Sequence, residues 1–98
     1  MTAGMKGKAE TVVTEKNTAK AMGSGTLDVF ATPAMVALME EAAWKCVVPE
    51  LEPGMGTVGT LMNVQHTSAT PLSMHVTAEC ELTEVDNRRL VFTVKAFD

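Results

Sequence analysis

The chain has 98 residues, of which 46% are hydrophobic and 20% charged, so it can build one packed domain and is too short for a multidomain protein. Its net charge is −4, and its aromatic residues are one Trp, three Phe and no Tyr. An acidic chain with so little stacking surface is not typical of nucleic-acid-binding proteins. We also expect no membrane span and no secretory signal, because no long apolar run is present.

The two cysteines, Cys46 and Cys80, form no CxxC motif. This usage argues against a disulfide framework or a zinc ribbon and is typical of proteins in a reducing cytoplasm. The two histidines lack HxH or HxxxH spacing, so the sequence predicts no metal site.

The first predicted element is a β-strand over Lys8–Thr14, followed by a flexible connection over Asn17–Asp28 that is rich in Gly, Ser, Thr and Ala. Thr32 is a predicted helix N-cap, because its hydroxyl can accept a hydrogen bond from a free N–H group. Pro33 suits the first helical position, and a helix over Ala34–Val47 follows without Gly or Pro.

The charged residues of this helix, Glu40, Glu41 and Lys45, fall on one arc of the helical wheel, and most of the remaining circumference is apolar. The helix must therefore be covered on most sides, and we expect a sheet and a second subunit to cover it. Glu41 and Lys45 form an i,i+4 pair suited to solvent. Glu40 borders the apolar arc and is the glutamate expected to face a pocket.

After the helix, the period of the hydrophobic pattern changes from 3.6 residues to 2. The alternation predicts antiparallel strands over Gly56–Thr70, Ser73–Val85 and Leu90–Phe97, with a turn at Asp86-Asn87. The core face of the second strand should carry Met74, Val76, Ala78, Cys80 and Leu82. This order predicts an α+β domain with one helix against one face of a sheet.

His66 shares a predicted strand face with Val58, Met62 and Val64, so we expect it to point towards the helix. A buried imidazole needs a partner, because an unpaired buried polar group costs roughly 1–3 kcal/mol. His66 is either a core histidine bonded to a backbone carbonyl or a general base or acid. His75 lies on the polar side of its strand and is expected to be solvated.

Glu40 and Thr32 also allow two interpretations each. Glu40 is either a solvated residue or a carboxylate in apolar surroundings that serves as acid, base or orienter of a histidine. Thr32 is either a helix cap alone or a hydroxyl at a helix N-terminus, where a substrate carbonyl can bind. The two residues are about 12 Å apart along the helix axis. A site that uses both must place the substrate or His66 between them, or draw them from two subunits.

The stretch VFATPAMVALME from Val29 to Glu40, followed by Gly59-Thr60 and by HTSATP from His66, resembles the hot-dog-fold thioesterases. The closest resemblance is to the branch that includes fluoroacetyl-CoA thioesterase, and it runs from about Val29 to Asp98. It implies a hot-dog fold, in which an antiparallel sheet wraps around one long buried helix. It also implies a homodimer or dimer of dimers with active sites at the subunit interface, and hydrolysis of acyl-CoA. No cofactor is expected, because coenzyme A is part of the substrate.

The family's catalytic threonine, glutamate and histidine match Thr32, Glu40 and His66, and Gly59 matches a glycine that lines the acyl pocket. The resemblance implies that Thr32 positions or attacks the thioester carbonyl and that His66 acts as base and acid. Glu40 would then orient His66 or activate water. The family's aromatic lid residues have no counterpart within Gly23–Leu27, which leaves the acyl group open.

The resemblance also implies a last strand, which would lie between the strand holding His66 and the strand over Leu90–Phe97. We interpret residues 1–98 as a single hot-dog domain that is short at its C-terminus, and expect a longer native polypeptide or a pairing strand from another chain. The leading hypothesis is a cytoplasmic thioesterase for small acyl-CoA substrates. The alternatives are a non-catalytic hot-dog module that binds acyl-CoA or a similar ligand, and a structural fragment that self-associates through exposed strand edges.

Overall fold

The computed structural model describes all 98 residues and contains one three-stranded antiparallel sheet with a long helix on one face. In chain order the elements are β1 (Lys6–Val12), α1 (Ala19–Met22), α2 (Thr32–Val47), a 3-10 turn (Val48–Glu50), β2 (His75–Asp86) and β3 (Arg89–Phe97). The strand order is β1-β2-β3, and α2 packs against β1 and β2. The α+β class predicted from the sequence is confirmed. Neither helix has the length and apolar character that a membrane crossing requires.

The start of α2 differs from the prediction in the identity of its cap. The N-cap residue is Ala31, which is extended (φ −71°, ψ 139°), and no side chain caps the helix. The prediction of Thr32 as N-cap is therefore wrong, because Thr32 is already the first helical residue. The fixed φ of Pro33 at the second position favours the helical turn without a side-chain cap. The Thr32 hydroxyl is consequently available for another partner.

The core lies between the inward face of α2 and alternate residues of the sheet. The predicted alternation of β2 is confirmed over the strand itself, while Met74 precedes the strand and is 43% exposed. The main buried residues of the two elements are Met35, Leu38, Met39, Ala42, Cys46 and Val47 of α2 and Val76, Ala78, Cys80 and Leu82 of β2.

The closest approach of α2 to the sheet occurs at Gly7, which lies opposite Cys80 in the β1–β2 register. A Cβ atom at Gly7 would overlap the carbonyl oxygen of Ala42 and would lie 2.7 Å from Cys46 Cβ and 3.0 Å from Cys80 Sγ. Glycine is therefore what allows the helix backbone to lie this close. Burial raises the pKa of the Cys80 thiol to about 11, with a further contribution from Cys46, so the thiol is neutral at physiological pH.

The connection over Asn17–Asp28 is more ordered than predicted, because it contains the short helix α1. The Thr18 hydroxyl accepts a hydrogen bond from the Ala21 N–H group at 3.1 Å and caps the start of this helix. Gly23 ends it in the left-handed conformation (φ 74°), which glycine adopts without a steric penalty.

The predicted strand over Gly56–Thr70 is wrong. Residues 56–69, called the extended segment below, form no backbone hydrogen bond within the chain. The segment ends where the Phe30 N–H group donates to the Thr70 carbonyl oxygen at 2.8 Å. Alternation specifies which side chains share a face, but a strand forms only where a neighbour completes the hydrogen-bond ladder. No strand lies beside this segment.

The two edges of the sheet are β1 and β3. A groove separates β3 from residues 63–68 of the extended segment, and buried side chains of α2 and β2 line its floor. The resemblance places the family's last strand in this position. The expectation that a further strand pairs there stays a prediction.

We expect Gly7→Ala to lower the free energy of unfolding by about 1–3 kcal/mol, because the added methyl group meets helix backbone, which cannot rotate away. Gly56→Ala is the matched control, since a Cβ atom there has open space and the backbone is not left-handed. Urea unfolding followed by far-UV circular dichroism measures both variants. Equal stability of the two would contradict the close helix–sheet approach at Gly7.

Candidate active site

The structure brings together two of the predicted site residues, Thr32 and His66, although they are 34 positions apart in the sequence. The Thr32 Oγ1 atom lies 2.7 Å from His66 Nδ1, within hydrogen-bonding distance. Thr32 is held by the first turn of α2, and His66 by the extended segment that passes this end of the helix. When Nε2 carries the ring proton, Nδ1 accepts the bond from the threonine hydroxyl.

His66 is half-buried, and its hydrogen-bond partner is a side-chain hydroxyl, where the simplest interpretation expected a backbone carbonyl. The predicted inward face is only partly formed. Val64 packs against the core, as predicted, whereas Val58 is 86% exposed and Met62 46% exposed. The turn towards the interior therefore begins near Val64. His66 lines the groove between β3 and the extended segment. This groove has a volume of about 290 Å³, and its apolar wall includes Phe30, Met35, Met39 and Val76.

Glu40 lies two turns further along α2, and its carboxylate lies against Gly59 of the extended segment. A Cβ atom at Gly59 would lie 2.7 Å from Glu40 Oε2 and 2.5 Å from Met62 Cε. Both neighbours are the ends of flexible side chains, so the missing side chain at Gly59 is what leaves room for them. Glu40 is exposed within the single chain. It faces Gly59, whereas the sequence predicted that it faces a pocket.

The predicted site thus forms two pairs, Thr32 with His66 and Glu40 with Gly59. No hydrogen bond or salt bridge joins Glu40 to Thr32 or His66. Both pairs connect α2 to the extended segment. The placement of a substrate between Thr32 and Glu40 stays a prediction.

Glu41, Lys45 and His75 are placed as the sequence predicted. Glu41 Oε2 accepts a hydrogen bond from Lys45 Nζ at 2.7 Å, so this glutamate belongs to a surface ion pair. His75 is exposed on the outer side of β2. Cys46 and Cys80 are free and buried under Gly7 in the core, apart from the two pairs.

Met62 is the site neighbour that the sequence pattern misplaced. Its even position in the predicted strand assigned it to the core face, but its methyl group lies beside Gly59 and Glu40. No motif marks this residue, so the sequence carries no signal for its position.

Replacing Thr32 by Val should remove the hydrogen bond to His66 and change the ring-nitrogen resonances of that histidine. His66 and His75 are the only two histidines, so nitrogen-15 spectra of the imidazoles resolve the effect, with His75 as internal control. We expect the stability to change by less than about 0.5 kcal/mol, because Thr32 is exposed. Unchanged His66 resonances in Thr32→Val would contradict the observed contact.

Comparison with known proteins identifies relatives along most of the chain. The family model for fluoroacetyl-CoA-specific thioesterase matches residues 13–98. The fluoroacetyl-CoA thioesterase of Streptantibioticus cattleyicolor is 49% identical over 71 residues, which are 72% of this chain. The match spans only 51% of that relative, or about half of its length.

Solved structures agree with this assignment. A mutant of the fluoroacetyl-CoA-specific thioesterase in complex with fluoroacetate and CoA has a TM-score of 0.93 and 38% identity, covering 100% of this chain and 83% of that one. A Thermus thermophilus hypothetical protein of the thioesterase superfamily has a TM-score of 0.88 and 29% identity, covering 98% of this chain and 71% of that one. These similarities confirm the predicted hot-dog fold, here with three strands. The chain belongs to the fluoroacetyl-CoA-specific thioesterase family.

Proposed function

We propose that this protein hydrolyses the thioester bond of a small acyl-CoA, with the chemistry centred on Thr32 and His66. The observation that carries the proposal is the 2.7 Å contact between the Thr32 hydroxyl and His66 Nδ1. A hydroxyl bonded to an imidazole at a helix N-terminus combines a nucleophile or positioning group with a base. Nearby N–H groups of the first helical turn can attract the carbonyl oxygen as negative charge develops on it.

Two routes use the same pair. In the first, His66 takes the hydroxyl proton while Thr32 Oγ1 attacks the thioester carbon. The CoA sulfur leaves with the proton that His66 passes to it, and an acyl ester forms on Thr32. Water then cleaves this ester. In the second, Thr32 positions the carbonyl, and water attacks the thioester directly. Each route consumes one water molecule, releases a carboxylic acid and the CoA thiol, and needs no cofactor.

We propose that Glu40 activates the attacking water. The alternative, in which Glu40 orients His66, has no supporting hydrogen bond, and the Glu40 carboxylate lies beside Gly59 of the extended segment. A glycine at this position leaves room for the carboxylate beside the extended segment. Gly59 then lines the space that receives the acyl group.

The proposed substrate class is a short acyl chain on coenzyme A. The residues that precede the site, Gly23–Leu27, include no aromatic side chain, and Leu27 is 65% exposed. Nothing in this stretch therefore supplies a bulky apolar lid over the site. The names of the relatives make fluoroacetyl-CoA one compound to include among the substrates tested.

We further propose that the active form is a homodimer or a dimer of dimers and that a second copy covers the site. The outer face of α2 is exposed and largely apolar along Pro33, Ala37, Trp44 and Val48, with Glu40 among them. The extended segment adds exposed apolar side chains and unpaired backbone groups. Apolar surface and unpaired backbone side by side favour association with another chain. The two free thiols fit a reducing cytoplasmic location.

We expect the purified protein to release free thiol from short acyl-CoA substrates such as acetyl-, fluoroacetyl- and butyryl-CoA. His66→Ala and Glu40→Gln should each lower kcat by at least about 100-fold, because each removes a proposed proton-transfer group. His75→Ala is the control and should retain activity. The measurement is absorbance with a thiol reagent, together with circular dichroism to verify folding.

Two results would contradict this proposal. One is a folded protein that cleaves none of these thioesters, and the other is full activity after His66→Ala. If acyl-CoA raises the melting temperature without any turnover, the non-catalytic binding module is the correct interpretation.

The assembly proposal has its own test in the extended segment, where Val58 and Leu61 are 86% and 85% exposed. We expect light scattering coupled to size exclusion to give at least twice the monomer mass. The double substitution Val58→Glu with Leu61→Glu should yield monomers, because charge replaces apolar contact surface. Val85→Glu, near the β2–β3 hairpin, is the matched control. A monomeric wild-type protein would overturn the proposed assembly.

A further inference from the structure

The side chain of Met62 occupies the same small space as the Glu40 carboxylate. Its Cε atom would lie 2.5 Å from a Cβ atom at Gly59, and Glu40 Oε2 would lie 2.7 Å from the same point. The thioether methyl group and the carboxylate oxygen therefore both border the position that a Cβ atom at Gly59 would take. Met62 reaches this position from three residues further along the extended segment.

The Glu40 carboxylate therefore has the Met62 methyl group on the side of Gly59 and, within the single chain, an exposed surface on the other side. Methionine has an unbranched side chain with three rotatable bonds, so it fills irregular space and can move. Met62 is 46% exposed, which leaves part of the side chain outside the core and free to change rotamer.

We propose that Met62 sets the size of the acyl group that this site accepts. The inference rests on the proposed function, in which Glu40 activates the water that attacks the thioester. An acyl group held close to that water must lie beside Gly59, and the methyl end of Met62 is the side chain that limits this space. Even a single carbon atom bonded to Gly59 would lie 2.5 Å from Met62 Cε, so an acyl group beside Gly59 displaces Met62. A longer or branched acyl group requires a larger displacement than a short one.

A shorter side chain at position 62 should allow a larger acyl group to bind. We expect Met62→Ala to raise the ratio of kcat/KM for butyryl-CoA to kcat/KM for acetyl-CoA by about tenfold, the lower end of discrimination by methylene groups in an apolar pocket. Met62→Phe should lower the same ratio. The change should appear mainly in KM, because Met62 contacts the acyl group and transfers no proton.

Met55→Ala is the matched control. Met55 is also an exposed methionine just before the extended segment, at 60% exposure, and it is not among the atoms near Gly59. Its replacement should leave the butyryl-to-acetyl ratio within about twofold of the wild-type value. A ratio that Met62→Ala does not change, or that Met55→Ala changes equally, overturns the proposed role of Met62.

A second measurement separates this inference from the proposed function. Non-hydrolysable thioether analogues of acetyl-CoA and butyryl-CoA can be titrated by calorimetry against wild type, Met62→Ala and Met55→Ala. Failure of all thioester hydrolysis would overturn the enzyme proposal alone. In that case, a selective gain of affinity for the longer analogue in Met62→Ala supports the role of Met62, and equal affinities in all three proteins overturn it.

Discussion

The packing of α2 on the sheet depends on the absence of a side chain at Gly7. The carbonyl oxygen of Ala42 and the side chain of Cys46 occupy the space that a Cβ atom would need. This contact fixes the middle of the helix against β1 and β2. The positions of Thr32 at its start and Glu40 in its third turn follow from that contact. The contact at Gly7 on the core side of the helix thus helps to position Thr32 and Glu40 on its other side.

The extended segment supplies the other half of the site without belonging to the sheet. It is attached at its C-terminal end by the hydrogen bond between Phe30 and Thr70, and Val64 packs against the core. His66 lies between these two attachments, which accounts for its short contact with Thr32. Gly59 and Met62 lie before them, where the residues of the segment are exposed.

Much of this structure could be predicted from the sequence because local patterns determine it. Alternation defined β2 and β3, and helix periodicity with Pro33 defined α2. The predicted strand face and the helical pattern mark His66, Glu40 and Thr32 as candidates, whereas Gly59 is marked by the family resemblance alone. Two contacts join these four residues in space. The strand predicted over Gly56–Thr70 failed because pairing depends on a neighbour that the pattern does not contain. The predicted cap at Thr32 failed because the helix begins one residue earlier than expected, with Ala31 as its N-cap. The Thr32 hydroxyl bonds His66 instead, a residue distant in the sequence. The position of Met62 depends on side-chain packing in three dimensions, for which alternation gave the wrong face.

The two pairs of site residues lie on the side of α2 that the sheet leaves open, and this links substrate access to assembly. Glu40 is the only charged residue in the exposed row formed with Pro33, Ala37, Trp44 and Val48. A second copy that covers this row would remove water around the carboxylate and strengthen its interaction with a bound polar group, because charges interact more strongly where water is excluded. The same contact would narrow the space beside Gly59. Assembly and acyl selection would then act on one surface.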